Sequence, residues 1–449
     1  MADSSAVHPS DDLSTSTAIS CMVGVYLAVN AVRDLFLLVE GPDCTYMKTQ
    51  YVQGNHDWLS TLTSVSGTHR VANTALHPSH LSASREATIR DLMLKMASHN
   101  EVPALALTSM PMSFITGADY ERLLRDVTAA TGKPTFHIPG KSLSGDWLDG
   151  YAEALHALAA QLDLTGAKPT AGKVAVVGLL FDRNEDDHTA NVREIKRMLG
   201  AVGLEACSVW LSGGSLEELR EARFASTILA LPYGRRAANK LGRRLGVPVL
   251  EVPLPFGFDA TEAFLRHAGA LAGCEQQAAA FIDQELSRVV PRLEWVIPFL
   301  FQNRTVGFVG EPGVLPGIHA IVTMLGATLK FAVLTNRPIH AKDLAFPGTD
   351  LLVHPRVKSL ARYLRNVDDQ GGVDLLIANN VGIIGTKGAV FEFGFPSYVQ
   401  HALYERPFLG FPGAMAFIDS LANALRMQEL HTFAQGRNPA QRSVSEVVR

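Results

Sequence analysis

The stretch Thr17-Ala18-Ile19-Ser20-Cys21-Met22-Val23-Gly24 is followed, one helix's length later, by Leu37-Leu38-Val39-Glu40-Gly41-Pro42-Asp43-Cys44-Thr45, and these two segments decide the fold. Cys21 opens an apolar run to about Ala31 that reads as a helix, and Leu35 to Val39 reads as a buried strand. Cys44 begins the segment after that strand. Both thiols then fall near helix N-termini, where the positive end of the dipole favours thiolate. Thiolate is the form that ligates iron. Without a metal, the same two residues are small buried hydrophobes, and no Cys-x-x-Cys pair is present.

Working outward, 449 residues suffice for two or three domains with their own cores. A hydrophobic fraction of 47% and a mean hydropathy of +0.11 fit a well-packed α/β protein. A net charge of -4 without a dense basic run argues against a nucleic-acid binder. Four cysteines make no disulfide scaffold, so a reducing cytoplasm is the expected compartment. Residues 1–16 are polar and acidic and do not read as a signal peptide. No stretch of about 20 uncharged apolar residues reads as a membrane span.

The remaining chain alternates strand and helix patterns. Strand Ala104 to Thr108 precedes a helix from about Asp119, and Thr165 to Gly172 has linker composition. Apolar runs at 173–179, 204–210, 227–231 and 247–252 alternate with amphipathic helices, and a long helical region covers about 260–301. Runs at 306–310, 328–334, 351–353, 375–378 and 389–393 repeat the logic, with a last helix at 414–426 and a polar, disordered tail from about 432. Such alternation means parallel sheets with helices on both faces. The expected fold is α/β, with three consecutive Rossmann-like, doubly wound domains at 1–165, 166–290 and 291–430, and a tail at 431–449.

Cys21, a small-residue helix, a strand and then Gly41-Pro42-Asp43-Cys44 resemble the N-terminal signature of the nitrogenase component 1 superfamily. That superfamily includes nitrogenase subunits, cofactor-assembly scaffolds and dark-operative protochlorophyllide reductases. The resemblance continues through Val177-Gly178-Leu179, Leu231-Pro232-Tyr233-Gly234 and Phe393-Gly394-Phe395-Pro396, then Tyr404 through Gly413, and covers about residues 17–430. It implies an iron–sulfur cluster held by Cys21 and Cys44, with Asp43 either a possible oxygen ligand or the cap of the following helix. The family's third cysteine position reads Met110, and a thioether is a poor substitute for thiolate. A 4Fe–4S cluster shared with a partner subunit is therefore the expected cofactor. The resemblance also implies a dimer or tetramer with a paralogous subunit or a second copy. Electrons would come from a P-loop iron–sulfur ATPase docking over Cys21 and Cys44.

The family's second metallocofactor uses a cysteine and a histidine that fall here at about Pro232 and at Phe393-Gly394, and neither position supplies a metal donor. The expected role is a non-cofactor-bearing subunit of a nitrogenase-like two-component oxidoreductase. A cluster-assembly scaffold and a cluster-free partner subunit are the alternatives. Cys207 and Cys274 read as structural. His56, His69, His77 and His80 share one irregular segment but match no zinc spacing. Among them, His56 is the candidate for metal or proton chemistry because it follows Cys44. His401 is expected at the surface, with an interdomain cleft as the alternative. No Gly-x-Gly-x-x-Gly follows Val177 and no P-loop motif occurs, so ATP is not expected to bind this chain.

Overall fold

The computed structural model describes residues 12–43, 49–63, 68–81, 84–140, 145–383 and 386–434. Alternating strands and helices build three sheets in which every neighbouring pair is parallel. The first sheet contains β1 (Leu35–Glu40), β2 (Val71–Asn73), β3 (Ala104–Ser109) and β4 (Thr135–Ile138), in the order β2-β1-β3-β4. The second contains β5 (Thr170–Val177), β6 (Glu205–Val209), β7 (Ala225–Ala230) and β8 (Val249–Glu251), in the order β6-β5-β7-β8. The third contains β9 (Thr305–Gly310), β10 (Thr328–Leu334), β11 (Asp350–Val353), β12 (Leu375–Ala378) and β13 (Ala389–Glu392), in the order β11-β10-β9-β12-β13. Strands β1 and β3 are buried along their whole length, as expected for strands covered on both faces. Strand order reverses at β1, β5 and β9, and ligand crevices form at the carboxyl ends beside such switch points.

The described helices that matter here are α1 (Cys21–Asn30), α2 (Glu86–Ala97), α3 (Tyr120–Thr131), α4 (Trp147–Gln161), α5 (Asp186–Ala201), α6 (Leu216–Arg220) and α7 (Arg235–Leu245). They continue with α8 (Phe258–Ala272), α9 (Glu275–Leu293), α10 (Leu315–Met324), α11 (Val357–Asp369) and α12 (Gly410–Ala434). All ten residues of α1 are buried, so it is an internal rod rather than a surface helix. It crosses α4 through glycines: a methyl group on Gly24 would lie 1.7 Å from the Trp147 carbonyl oxygen. Helix α4 starts where Asp146 accepts from the N–H groups of Leu148 and Asp149 while Asp149 reaches back to Asp146, a capping box.

The sheets share cores. One cluster runs from Tyr26 and Trp147 through Phe181 and Ile228 to Phe395; another joins Leu229 and Phe264 to Ile318, Ile377 and Phe411. The expected helical region at 260–301 is broken into α8, α9 and a short π-helical turn at Ile297–Phe301, the first break coming where Gly273 takes a left-handed conformation (φ 66°). The last helix is longer than its apolar pattern and carries residues 431–434 of the expected tail, which are helical rather than disordered; the rest of that tail lies outside the described residues. Among the described residues, no helix is long and apolar enough to cross a membrane.

Candidate functional site

Helix α4 follows β4 in a parallel sheet, so its first turn stands at the carboxyl edge of the first sheet. Cys21 is held there. The N–H of Trp147 donates to Ile19 O at 3.0 Å, and a methyl group on Gly150 would sit 1.9 Å from the Cys21 carbonyl oxygen and 3.2 Å from its Sγ. Cys21 is 2% exposed. Strands β1 and β3 end at the same edge, where the N–H of Met110 donates to Glu40 O at 2.9 Å. The Met110 thioether lies over Gly41, 2.8 Å from where a Cβ would stand. Met110 therefore rests against the turn that leads into Cys44. Asp43 is exposed on that turn; Cys44 lies outside the described residues.

Two buried polar atoms at this edge lack hydrogen-bond partners, Glu40 Oε2 and Thr108 Oγ1, and the Tyr120 hydroxyl lies beside the hydroxyls of Ser109, Ser113 and Thr116. Glu40 is fully buried, with Arg85 Nε 3.4 Å from its other oxygen. Unsatisfied groups are rare in native interiors, so this edge is suited to receive a polar or inorganic group. The described residues supply one thiol and one thioether there, fewer donors than the four thiolates of an ordinary iron–sulfur site.

A second site lies where the three sheets meet. The segment after β5 is pinned by the Tyr151 hydroxyl, which accepts from the N–H of Phe181 at 3.0 Å and donates to Leu179 O at 3.2 Å. Buried Asp57 accepts from Asn30 Nδ2 at 2.6 Å and from the N–H of Asn184 at 3.0 Å, which carries His56 onto the same segment. The result is a cavity of ≈160 Å³ lined by His56, Asp182, His188, Glu311, Phe393 and Phe408, among others.

The cavity's charges are paired. His188 lies between Asp182 and Asp187, and Arg183 pairs with Asp187. Burial opposes the His188 charge, but the two carboxylates outweigh it and push its pKa up to about 10. Burial likewise opposes ionisation of Asp182, yet His188 and His56 hold it well below the usual carboxylate range. Glu392 accepts the N–H groups of Tyr398 (2.9 Å), Val399 (2.6 Å) and Gln400 (2.7 Å).

Glu311 differs. Burial pushes it up to about 7 against the opposing N–H of Gly313, and the Tyr233 hydroxyl hydrogen-bonds to it. A buried carboxyl raised in this way favours the fold below its unfolded pKa and loses that advantage as pH rises through 7. Glu311→Gln should therefore gain stability relative to the parent between pH 5 and pH 8, read from urea midpoints. A protonated-carboxyl infrared band titrating near 7 should vanish in the variant.

The structure separates the histidines. His56 is 1% exposed and lines the cavity. His69, His77 and His80 are exposed, and the last two close a local turn. His401 corrects its expected surface placement: its side chain is 5% exposed, bonds Glu185 at 2.7 Å and stacks on Trp58. The Glu185 carboxylate, which also accepts from the N–H groups of Trp58 and Ala402, draws it inward. Cys207 lies in β6 with Sγ 3.3 Å from Val174 O, and burial pushes its thiol up to about 11, consistent with a structural residue. The Asp182-Arg183-Asn184-Glu185-Asp186-Asp187-His188 run was missed from sequence; its density of charge after a strand is the signal that could have found it, and only the fold shows that most of it is buried.

Asp146, Asp149 and His340 form the sole metal-type grouping among the described residues. Their carboxylates already accept from the N–H groups of Leu148, Asp149 and Arg337, from the Asn336 amide and from the Arg337 guanidinium. Burial opposes a charge on His340, but Asp146 and Asp149 push it up to about 9. The group is an ionic latch between α4 and the loop after β10.

The family model for Nitrogenase component 1 type Oxidoreductase matches residues 20–426. The chain is 25% identical over 329 residues to a nitrogenase molybdenum-iron protein beta chain from Clostridium pasteurianum, covering 66% of this chain and 68% of that one. It is 21% identical over 381 residues to the nitrogenase iron-molybdenum cofactor biosynthesis protein NifN of Rippkaea orientalis, covering 76% and 80%. The solved structure titled nitrogenase Cp1 at pH 6.5 superposes with a TM-score of 0.75 at 18% identity over 92% and 93% of the two chains. With matching sheets, switch-point edges and a family model spanning nearly the whole chain, this protein belongs to the nitrogenase component 1 type oxidoreductase family.

Proposed function

We propose that this chain is the subunit of a nitrogenase-like oxidoreductase that shares an iron–sulfur cluster, a 4Fe–4S centre as the family resemblance implies, with a paralogous partner in the cytoplasm. The observation that carries the proposal is the carboxyl edge of the first sheet. There Cys21 stands in the first turn of α1, Met110 rests on the turn leading to Cys44, and two unsatisfied polar atoms lie at the same edge. Cys21 and Cys44 would hold the cluster, Asp43 is the candidate oxygen ligand, and the partner's thiolates would complete the set. Relatives named as nitrogenase alpha and beta chains support a paralogous partner. The cluster supplies one-electron chemistry when bound. This chain's part is to exclude water around Cys21 through the α1–α4 crossing, and the partner would hold the substrate. A P-loop iron–sulfur ATPase would deliver the electrons.

Met110 favours a second reading, an assembly scaffold, because incomplete ligation suits a cluster that must leave; the similarity to NifN is consistent with it. One experiment separates them. The anaerobic complex with its paralogous subunit is mixed with the iron–sulfur ATPase, and its electron paramagnetic resonance signal is followed. ATP-dependent reduction with iron retained supports the relay. Iron transfer to an apo-acceptor without ATP-dependent reduction supports the scaffold.

A further inference from the structure

The cavity at the junction of the three sheets stands where the family resemblance places a second metallocofactor, and its residues do not fit one. Phe393 and Gly394 form part of its wall, and Pro232 adjoins the lining residue Tyr233. None of these offers a metal donor. Among the described residues, the cavity's histidines and carboxylates do not converge on a common point, since the sole such grouping is the latch at Asp146, Asp149 and His340.

The cavity is nevertheless built for a ligand. Its ≈160 Å³ is close to the roughly 150 Å³ of an apolar cavity that admits benzene. Phe393, Phe408 and Phe417 form an aromatic wall, with Phe393 edge-on to the other two at 5.4 and 4.9 Å between ring centroids. One donor of the lining, His56 Nε2, lacks a close hydrogen bond. The N–H of Ser397 donates to His56 Nδ1 at 3.0 Å, which leaves the neutral ring's proton on Nε2. That Nε2 makes no close hydrogen bond, although the residue is 1% exposed. Its nearest acceptor, Asp182 Oδ2, is 3.5 Å away, a distant contact that helps hold the Asp182 carboxylate but is longer than an ordinary N–H···O bond. The charged groups around it leave no unmatched cation: Asp182 and Asp187 face His188 and Arg183, and Arg406 is bound to Ala416 O, Asp419 and Ser420. An anionic ligand would be desolvated here without a counter-ion.

We propose that this cavity binds an uncharged, single-ring organic molecule whose carbonyl, hydroxyl or ring-nitrogen acceptor takes the His56 Nε2 proton, in place of a metallocofactor. The proposal stands on the cavity alone and is independent of the cluster at the other edge.

The test uses the full-length protein and three probes of equal ring size, benzamide, toluene and benzoate, with saturation-transfer NMR and calorimetry at pH 7.5. Benzamide should bind most tightly, with Kd below about 1 mM, toluene more weakly and benzoate least. His56→Phe should weaken benzamide about tenfold while leaving toluene within about twofold, the size of one lost hydrogen bond. Ala416→Phe, which projects a ring from the α12 wall, should abolish binding of both without lowering the melting temperature, so the ranking stays testable if the His56 variant fails to fold. Tighter binding of benzoate than of benzamide, no binding of any probe, or binding unchanged by Ala416→Phe overturns the proposal.

Discussion

Gly150→Ala is expected to destabilise the protein by at least about 3 kcal/mol, although alanine is the better helix former by about 1 kcal/mol. The reason is the crossing of α1 and α4, where an added methyl group would stand 1.9 Å from the Cys21 backbone carbonyl. The obstacle is main chain rather than a side-chain tip, so relief requires α1 to move away from α4 and takes Cys21 with it. Gly166→Ala is the control. Its φ of 79° carries backbone strain with nothing within 4 Å, so it should cost only about 1–2 kcal/mol. Equilibrium urea unfolding of both variants checks this, and a Gly150→Ala cost below that of Gly166→Ala would remove the close crossing as the support of Cys21.

His188→Leu should cost about 3–5 kcal/mol, because it leaves Asp182 and Asp187 buried beside a single remaining cation, Arg183. Its pH dependence has a definite sign. The folded pKa of His188 is raised to about 10, above the roughly 6.5 of an unfolded histidine. The stabilisation is therefore complete below about pH 6.5 and lost as pH rises through 10. The gap between parent and variant should be widest near pH 6 and narrow steadily toward pH 10. A gap that widens over that interval would mean that His188 is not held as the imidazolium.

The fold was legible because the chemistry that makes parallel sheets is local. Apolar runs such as Lys173 to Leu179 and Thr328 to Leu334 are bounded by turns and amphipathic helices, and they appear as β5 and β10. Strand β2 escaped because three residues, Val71–Asn73, carry no period, and their place in the sheet comes from pairing with β1. The break at Gly273 and the long α12 are tertiary choices, since a glycine inside a helical pattern is tolerated until packing requires a turn.

The two sites differ in the same way. Cys21 and the Gly41-Pro42-Asp43 turn could be read from sequence because each is a contiguous signal, while Cys44 lies outside the described residues. The cavity could not, because its acid–base groups come from residues as far apart as His56, His188, Glu311 and His401. The buried roles of His56 and His401 are set by partners 341 and 216 positions away, Ser397 and Glu185.

The most direct measurement is inorganic iron and acid-labile sulfide per chain in the anaerobically purified complex of this protein with its paralogous subunit. It should be made on the parent and on Cys21→Ala and Cys44→Ala. The account predicts iron and sulfide together in the parent, both lost in each cysteine variant while the two subunits still copurify. A parent complex devoid of iron, or iron and sulfide unchanged in both variants, would contradict it.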